Sequence, residues 1–166
     1  MPMKTLYAFT VGVLLLSTTL RAQVVVPDEK HPTKLGKTVY GLGFAAGAGT
    51  GFGVSFRHHL PSELSYQIAG GVIKVDAKLA FDVGGEAQFD FLRGETTRFY
   101  AGGGAAYFYS GESGNDMKGP FRFALGVGGE FSNIQLVHIS VEGMFTYFSD
   151  GTILPLPQIG LHYYFF

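Results

Sequence analysis

From about residue 38 onward, bulky apolar residues occupy every second position in segment after segment, and this alternation constrains the chain more than any other feature. Side chains two apart share one face of a strand, so each such segment reads as a strand with one bulky apolar face. Eight segments fit: 38–48, 51–60, 64–74, 78–92, 97–109, 120–131, 136–148 and 158–166. In the fourth, Leu79, Phe81, Val83, Ala87, Phe89 and Phe91 lie opposite Lys78, Asp82, Gly84, Glu86, Gln88 and Asp90. In the sixth, Phe121, Phe123, Leu125, Val127 and Phe131 lie opposite Arg122, Ala124, Gly126, Gly128 and Glu130.

The composition of the second face decides which side meets solvent. In a soluble barrel that face would meet water and be rich in charge. Here it is mostly Gly, Ala and Ser, and only 15 % of the chain is charged against roughly 25 % in soluble domains. Small residues suit a crowded interior, and the bulky rows then need lipid. Most segments reach or exceed the ~9–11 residues that cross a bilayer at a tilt of about 45°. The expected fold is therefore all-β: an eight-stranded antiparallel up-and-down transmembrane β-barrel, spanning 38–166.

What precedes the barrel reads as export machinery. Lys4, the apolar run Ala8–Leu16 and the small-residue junction after Ala22 predict a signal peptide over 1–22. Residues 23–37, with Pro27, Pro32 and five charges, predict a polar periplasmic leader. Removing 1–22 takes away Lys4 and Arg21, which leaves ten basic and thirteen acidic residues, a net charge of −3. That balance argues against nucleic-acid binding. The absence of Cys excludes disulfides, thiolate metal sites and a lipidated N-terminal cysteine.

With both ends on the periplasmic side, the inward turns are 61–63, 93–96 and 132–135. The outward loops are 49–51, 75–77, 110–119 and 149–156. Val75-Asp76-Ala77 is the least turn-like of them, having no Gly, Pro or Asn. The inward polar residues form one candidate constellation, a lumenal network of Arg57, His59, Asp82, Glu86, Asp90, Arg98, Arg122, Glu130, His138, Glu142 and His162. Symmetry about the turns predicts that Glu130 pairs directly across the hairpin with His138, and Asp90 with Arg98. A barrel of eight strands has an interior just wide enough for side chains. Glycines at 41, 43, 102, 104, 126 and 128 leave open whether the lumen also holds water or a small ligand.

Other motifs give weaker signals. His138, Ser140 and Glu142 share a face like a hydrolase set, similar to the His-x-Ser of outer-membrane lipid A deacylases. They face the lumen near its periplasmic end, away from lipid substrate, so no enzyme is expected. His58 and His59 point to opposite faces and cannot chelate one ion. Gly41-Leu42-Gly43 and the glycines at 49, 51 and 53 lack the helix of a dinucleotide loop. Neither cofactor nor metal is expected. Tyr40, Tyr66, Tyr100, Tyr107, Tyr109, Tyr147 and Tyr163 fall mainly near strand ends, as interfacial belts require.

The signal segment, the Tyr40-Gly41-Leu42-Gly43-Phe44 first strand, the alternating hairpins and the terminal Tyr163-Tyr164-Phe165-Phe166 together resemble the small outer-membrane β-barrel family, the OmpA/OmpX-like group. The Ala22-Gln23 junction and the leader look like those of Bacteroidetes proteins. The resemblance implies a monomer in the bacterial outer membrane among outer-membrane lipids. It also implies a C-terminal strand read by the barrel-assembly machinery, and an extracellular ligand that the sequence does not name. Phe166 departs from the pattern, since it falls on the His162/Tyr164 row rather than the apolar row of Ile159, Leu161, Tyr163 and Phe165. The implied role is structural or interaction-based at the cell surface, behind a plugged lumen. A lipid-modifying enzyme and a narrow solute pathway are the alternatives.

Overall fold

A computed structural model describes residues 38–94, 96–134 and 136–165; the expected signal peptide, leader and terminal Phe166 lie outside the described residues. Eight strands follow one another: β1 Val39–Gly47, β2 Gly51–His59, β3 Leu64–Val75, β4 Lys78–Arg93, β5 Thr97–Gly111, β6 Phe121–Ile134, β7 Val137–Phe148 and β8 Ile153–Phe165. Each pairs antiparallel with its sequence neighbour, and β1 pairs with β8 from Tyr40↔Phe165 to Ala46↔Ile159, which closes the barrel. Closure leaves few unpaired edges, which matters for strands whose outer faces are apolar.

The alternation assigns the faces as expected. Leu125, Phe145 and Phe44 on the outer rows are 71 %, 66 % and 64 % exposed, while Arg57, Ser140 and His162 on the inner rows are 1 % exposed. Keeping one large apolar side chain from water is worth about 1.5–3 kcal/mol. Ten such side chains left in water outweigh the roughly 5–15 kcal/mol that stabilises a typical domain. The outer face carries many more than ten, so the barrel belongs in lipid.

The largest departure from the expected strand boundaries is at β8, and it has a local reason. β8 starts at Ile153, five residues early, although Pro155 and Pro157 argue against a strand. β1 reaches only as far as Ile159 on that side, so this part of β8 pairs with β7 alone, and an edge tolerates proline. The β7–β8 connection is therefore 149–152, not 149–156. It turns at Gly151 (φ 91°), with Phe148 N–H donating to Thr152 O at 2.8 Å. Thr152 N–H donates to Asp150 Oδ1 at 2.9 Å and holds that exposed carboxyl below its ordinary range.

β4 and β6 each carry a bulge, between Asp90 and Leu92 and between Ser132 and Ile134. A bulge adds a residue to one strand and moves the partners beyond it. The Val75–Lys78 hairpin forms despite its weak turn signal, because Asp76 takes a left-handed conformation (φ 54°) that Asp tolerates better than most residues.

Candidate functional site

The inward rows of β2, β4, β5, β6 and β7 bring charged groups to one level of the lumen. Glu130 is its hub. Its Oε2 accepts from Arg57 Nη1, from Arg98 Nη2 at 2.7 Å and from Arg98 Nε at 3.1 Å; its Oε1 bonds His138 Nδ1 at 2.7 Å. Arg98 also donates to Asp90 Oδ1 and Gln88 Oε1, both at 2.7 Å, and lies 4.3 Å from the centre of the Tyr100 ring. Arg93 gives Asp90 a second cation at the rim. Arg57 donates to Gln67, and its Nη2 stands 3.3 Å from Ser140 Oγ and 3.7 Å from Glu142 Oε1. Glu142 accepts from Tyr100 OH at 2.5 Å and from Gln158 Nε2 at 2.8 Å.

Two guanidiniums thus link six strands, β2 to β7. Removing each ion from water costs several kcal/mol, and planar, multiply bonded Arg–carboxylate geometry is what offsets it. The histidines attach at the end of the barrel where β1 starts and β8 ends. His59 Nε2 meets Tyr164 OH at 2.8 Å, and His162 Nε2 meets Ser55 Oγ at 2.8 Å. Glu86 accepts from Gln88 Nε2 at 3.0 Å.

The two expected direct pairs are not direct. Glu130 lies opposite Ser140, and His138 opposite Ser132; Asp90 lies opposite Tyr100, and Arg98 opposite Arg93. Both hairpins turn closer to their second strand than symmetry about the turn predicts, and each includes a bulge. The displacement is two residues in both, an even number, so the side chains before each bulge keep their faces; beyond the β4 bulge Leu92 turns outward and Arg93 bonds Asp90. Glu130–His138 and Asp90–Arg98 still meet, diagonally across the ladder.

Tyr100 is the other correction. It is 0 % exposed inside the lumen, not in an interfacial belt. Its place on the row Arg98, Tyr100, Gly102 was the available signal. The same parity marks Gln67, Gln88, Ser140 and Gln158, neutral partners that stand outside the expected set of charged and imidazole groups.

Asp82 and Arg122 do not join the charged level; both fasten the β1–β2 turn. The sequence places residues 49–51 in an outward loop. In the structure the turn folds into the barrel, and Thr50 is 2 % exposed with its Oγ1 donating to Gln158 Oε1 at 3.0 Å. Asp82 Oδ1 accepts the Phe52 N–H at 2.6 Å, and Arg122 Nη1 donates to Ala48 O at 3.3 Å. The Arg122 guanidinium sits 3.8 Å from the Phe108 ring centre and 4.8 Å from that of Phe148. Small residues make room for the turn. A Cβ at Gly84 would stand 2.5 Å from the Thr50 carbonyl.

His138, Ser140 and Glu142 share a face as expected but do not assemble a nucleophile. His138 bonds Glu130, and the Ser140 hydroxyl is buried beside Arg57. His58 points outward between Tyr40, stacked at 4.6 Å, and Tyr66, whose hydroxyl it meets at 2.8 Å. Among the described residues no group of three or more His, Asp or Glu side chains is placed to hold a metal ion.

No family model matches the chain, and no curated protein matches it. Among solved structures, it is similar to the outer membrane protein Ail of Yersinia pestis in a phospholipid bilayer nanodisc. That likeness has 14 % identity and a TM-score of 0.49, and covers 78 % of this chain and 99 % of that one. A major outer membrane protein of Thermus thermophilus has 10 % identity and a TM-score of 0.43 over 78 % of this chain and 100 % of that one. Neisserial surface protein A has 16 % identity and a TM-score of 0.39 over 76 % of this chain and 91 % of that one. The eight-stranded barrel itself stands on the strand pairing of this chain.

Proposed function

We propose that this chain is a monomeric bacterial outer-membrane barrel whose lumen is plugged by its own side chains, and whose role at the cell surface is structural or interaction-based. The observation that carries this reading is the inward β1–β2 turn stacked on the Arg57–Glu130–Arg98 network. Two successive layers of bonded side chains then cross an interior only wide enough for side chains.

In this reading the end with the short 60–63 turn faces the periplasm, and β8 is the strand engaged by the barrel-assembly machinery. The outer end presents residues 112–120 and the 149–152 turn. The longer of these loops is ordered by Asn115. Its Oδ1 accepts the N–H of Ser110 and of Met117, both at 3.1 Å, and its Nδ2 donates to Phe108 O at 2.8 Å. A loop held in one shape recognises a partner without first losing conformational entropy.

The test is electrical. Full-length protein in planar bilayers is expected to give no stable conductance. Reproducible single-channel steps from pure protein would establish a solute pathway instead. Turnover of a lipid ester that disappears in Ser140→Ala, with folding intact, would establish the enzyme.

A further inference from the structure

The lumenal carboxyls are not equally partnered. Asp90 has Arg93 and Arg98, and Glu130 has Arg57, Arg98 and His138. Glu142 has Arg57 at 3.7 Å together with Tyr100 and Gln158. Among the described residues Glu86 has no ion-pair partner. It is 4 % exposed, its Oε1 takes one bond from Gln88, and its Oε2 has no hydrogen-bond partner. That free oxygen belongs to a carboxyl on the Glu142 side of the lumen: a Cβ on Gly102 would meet Glu86 Oε1 at 2.3 Å and the Met144 methyl at 3.1 Å, and Met144 follows Glu142 on the inward row of β7.

The surroundings offer Glu86 little else. From β2 it meets the field of Arg57, already shared by Glu130 and Glu142. On β3 its register partner is Gln67, whose Oε1 is turned to Arg57. β5 places Gly104 opposite and Gly102 beside it, and β7 contributes Glu142 and the Met144 methyl near Gly102. No lysine or histidine among the described residues bonds it. A buried negative charge without a partner costs several kcal/mol, and adding one proton removes that charge.

We propose that Glu86 and Glu142 form a buried acid pair that binds a single proton, carried on Glu86 Oε2 and shared with Glu142. The chemistry of the two groups fits this division. A carboxylate has about four lone-pair sites, and Glu142 uses two of them on Tyr100 and Gln158 with Arg57 near a third. It keeps room for an O–H donor. Glu86, once protonated, supplies that donor and still accepts from Gln88 through Oε1. The pair then carries one negative charge facing one guanidinium. The ligand of this site is a proton and not a metal cation, because a cation would need further oxygen ligands and the adjoining β5 positions are glycines.

Infrared spectroscopy of the full-length protein in detergent at neutral pH tests this. The wild type is expected to show the C=O stretch of a protonated carboxylic acid, shifted on exchange into D2O. Glu86→Gln, which keeps the shape and supplies a donor, should abolish that band while the protein remains folded. Absence of the band in the wild type overturns the proposal and needs no variant. So does a band that persists unchanged in Glu86→Gln. Titration with sodium at fixed pH is the last arm. No change is expected, and loss of the band with added sodium would show that the site takes a metal cation.

Discussion

Glu130 shows how much one residue holds. Its two oxygens serve two guanidiniums and one imidazole. Glu130→Ala leaves Arg57 and Arg98 short of an acceptor, and loss of a buried partner costs about 3–5 kcal/mol. The expected result is a lower unfolding temperature in detergent, measured by heat-modifiable gel migration. A double-mutant cycle between positions 130 and 138 should give coupling clearly different from zero, because the two side chains touch diagonally at 2.7 Å. Tyr100→Phe removes the donor to Glu142 and should cost about 1–3 kcal/mol. The charged members of the site were legible in the sequence, since parity alone aims Arg57, Glu86, Arg98, Glu130 and Glu142 inward. Apart from Asp90–Arg98 and Glu130–His138, which flank turns, their partners were not. Which carboxylate meets which arginine depends on contacts across the barrel, such as 57 with 130, and no local pattern encodes them.

At the scale of the element, strand periodicity was a good guide and turns were not. The alternation located all eight strands, but it ends where a turn begins. The direction taken by Ala48-Gly49-Thr50 is set by Gly84, Ala124 and Gln158, residues 34 to 108 positions away. The early start of β8 was hidden for a similar reason, because proline is excluded from a paired interior and not from an edge. Gly84→Val places a side chain against the Thr50 carbonyl and should force the β1–β2 turn outward. The expected outcome is a reduced unfolding temperature and protease cleavage near residue 49 that the wild type resists. Gly143→Val is the control: its Cβ meets nothing within 4 Å, and stability should hardly change.

The barrel as a whole is built on one inversion: the bulky apolar rows face out and the charges face in. The interior was legible as polar because a set of Gly, Ala, Ser, Arg and Glu makes a poor water-facing surface and a workable lumen. The measurement that tests this most directly is a spin-label scan along β6, made simple because the chain has no Cys. Single cysteines at positions 121 to 128 would carry a nitroxide in lipid bilayers, with collision rates read against oxygen and against a water-soluble relaxant. Labels at Phe123, Leu125 and Val127 are expected to collide with oxygen dissolved in the lipid. Labels at Ala124 and Gly126 are expected to be shielded from oxygen and immobilised by lumenal packing. High accessibility of 123, 125 and 127 to the water-soluble relaxant, or the absence of a two-residue period, would contradict the account.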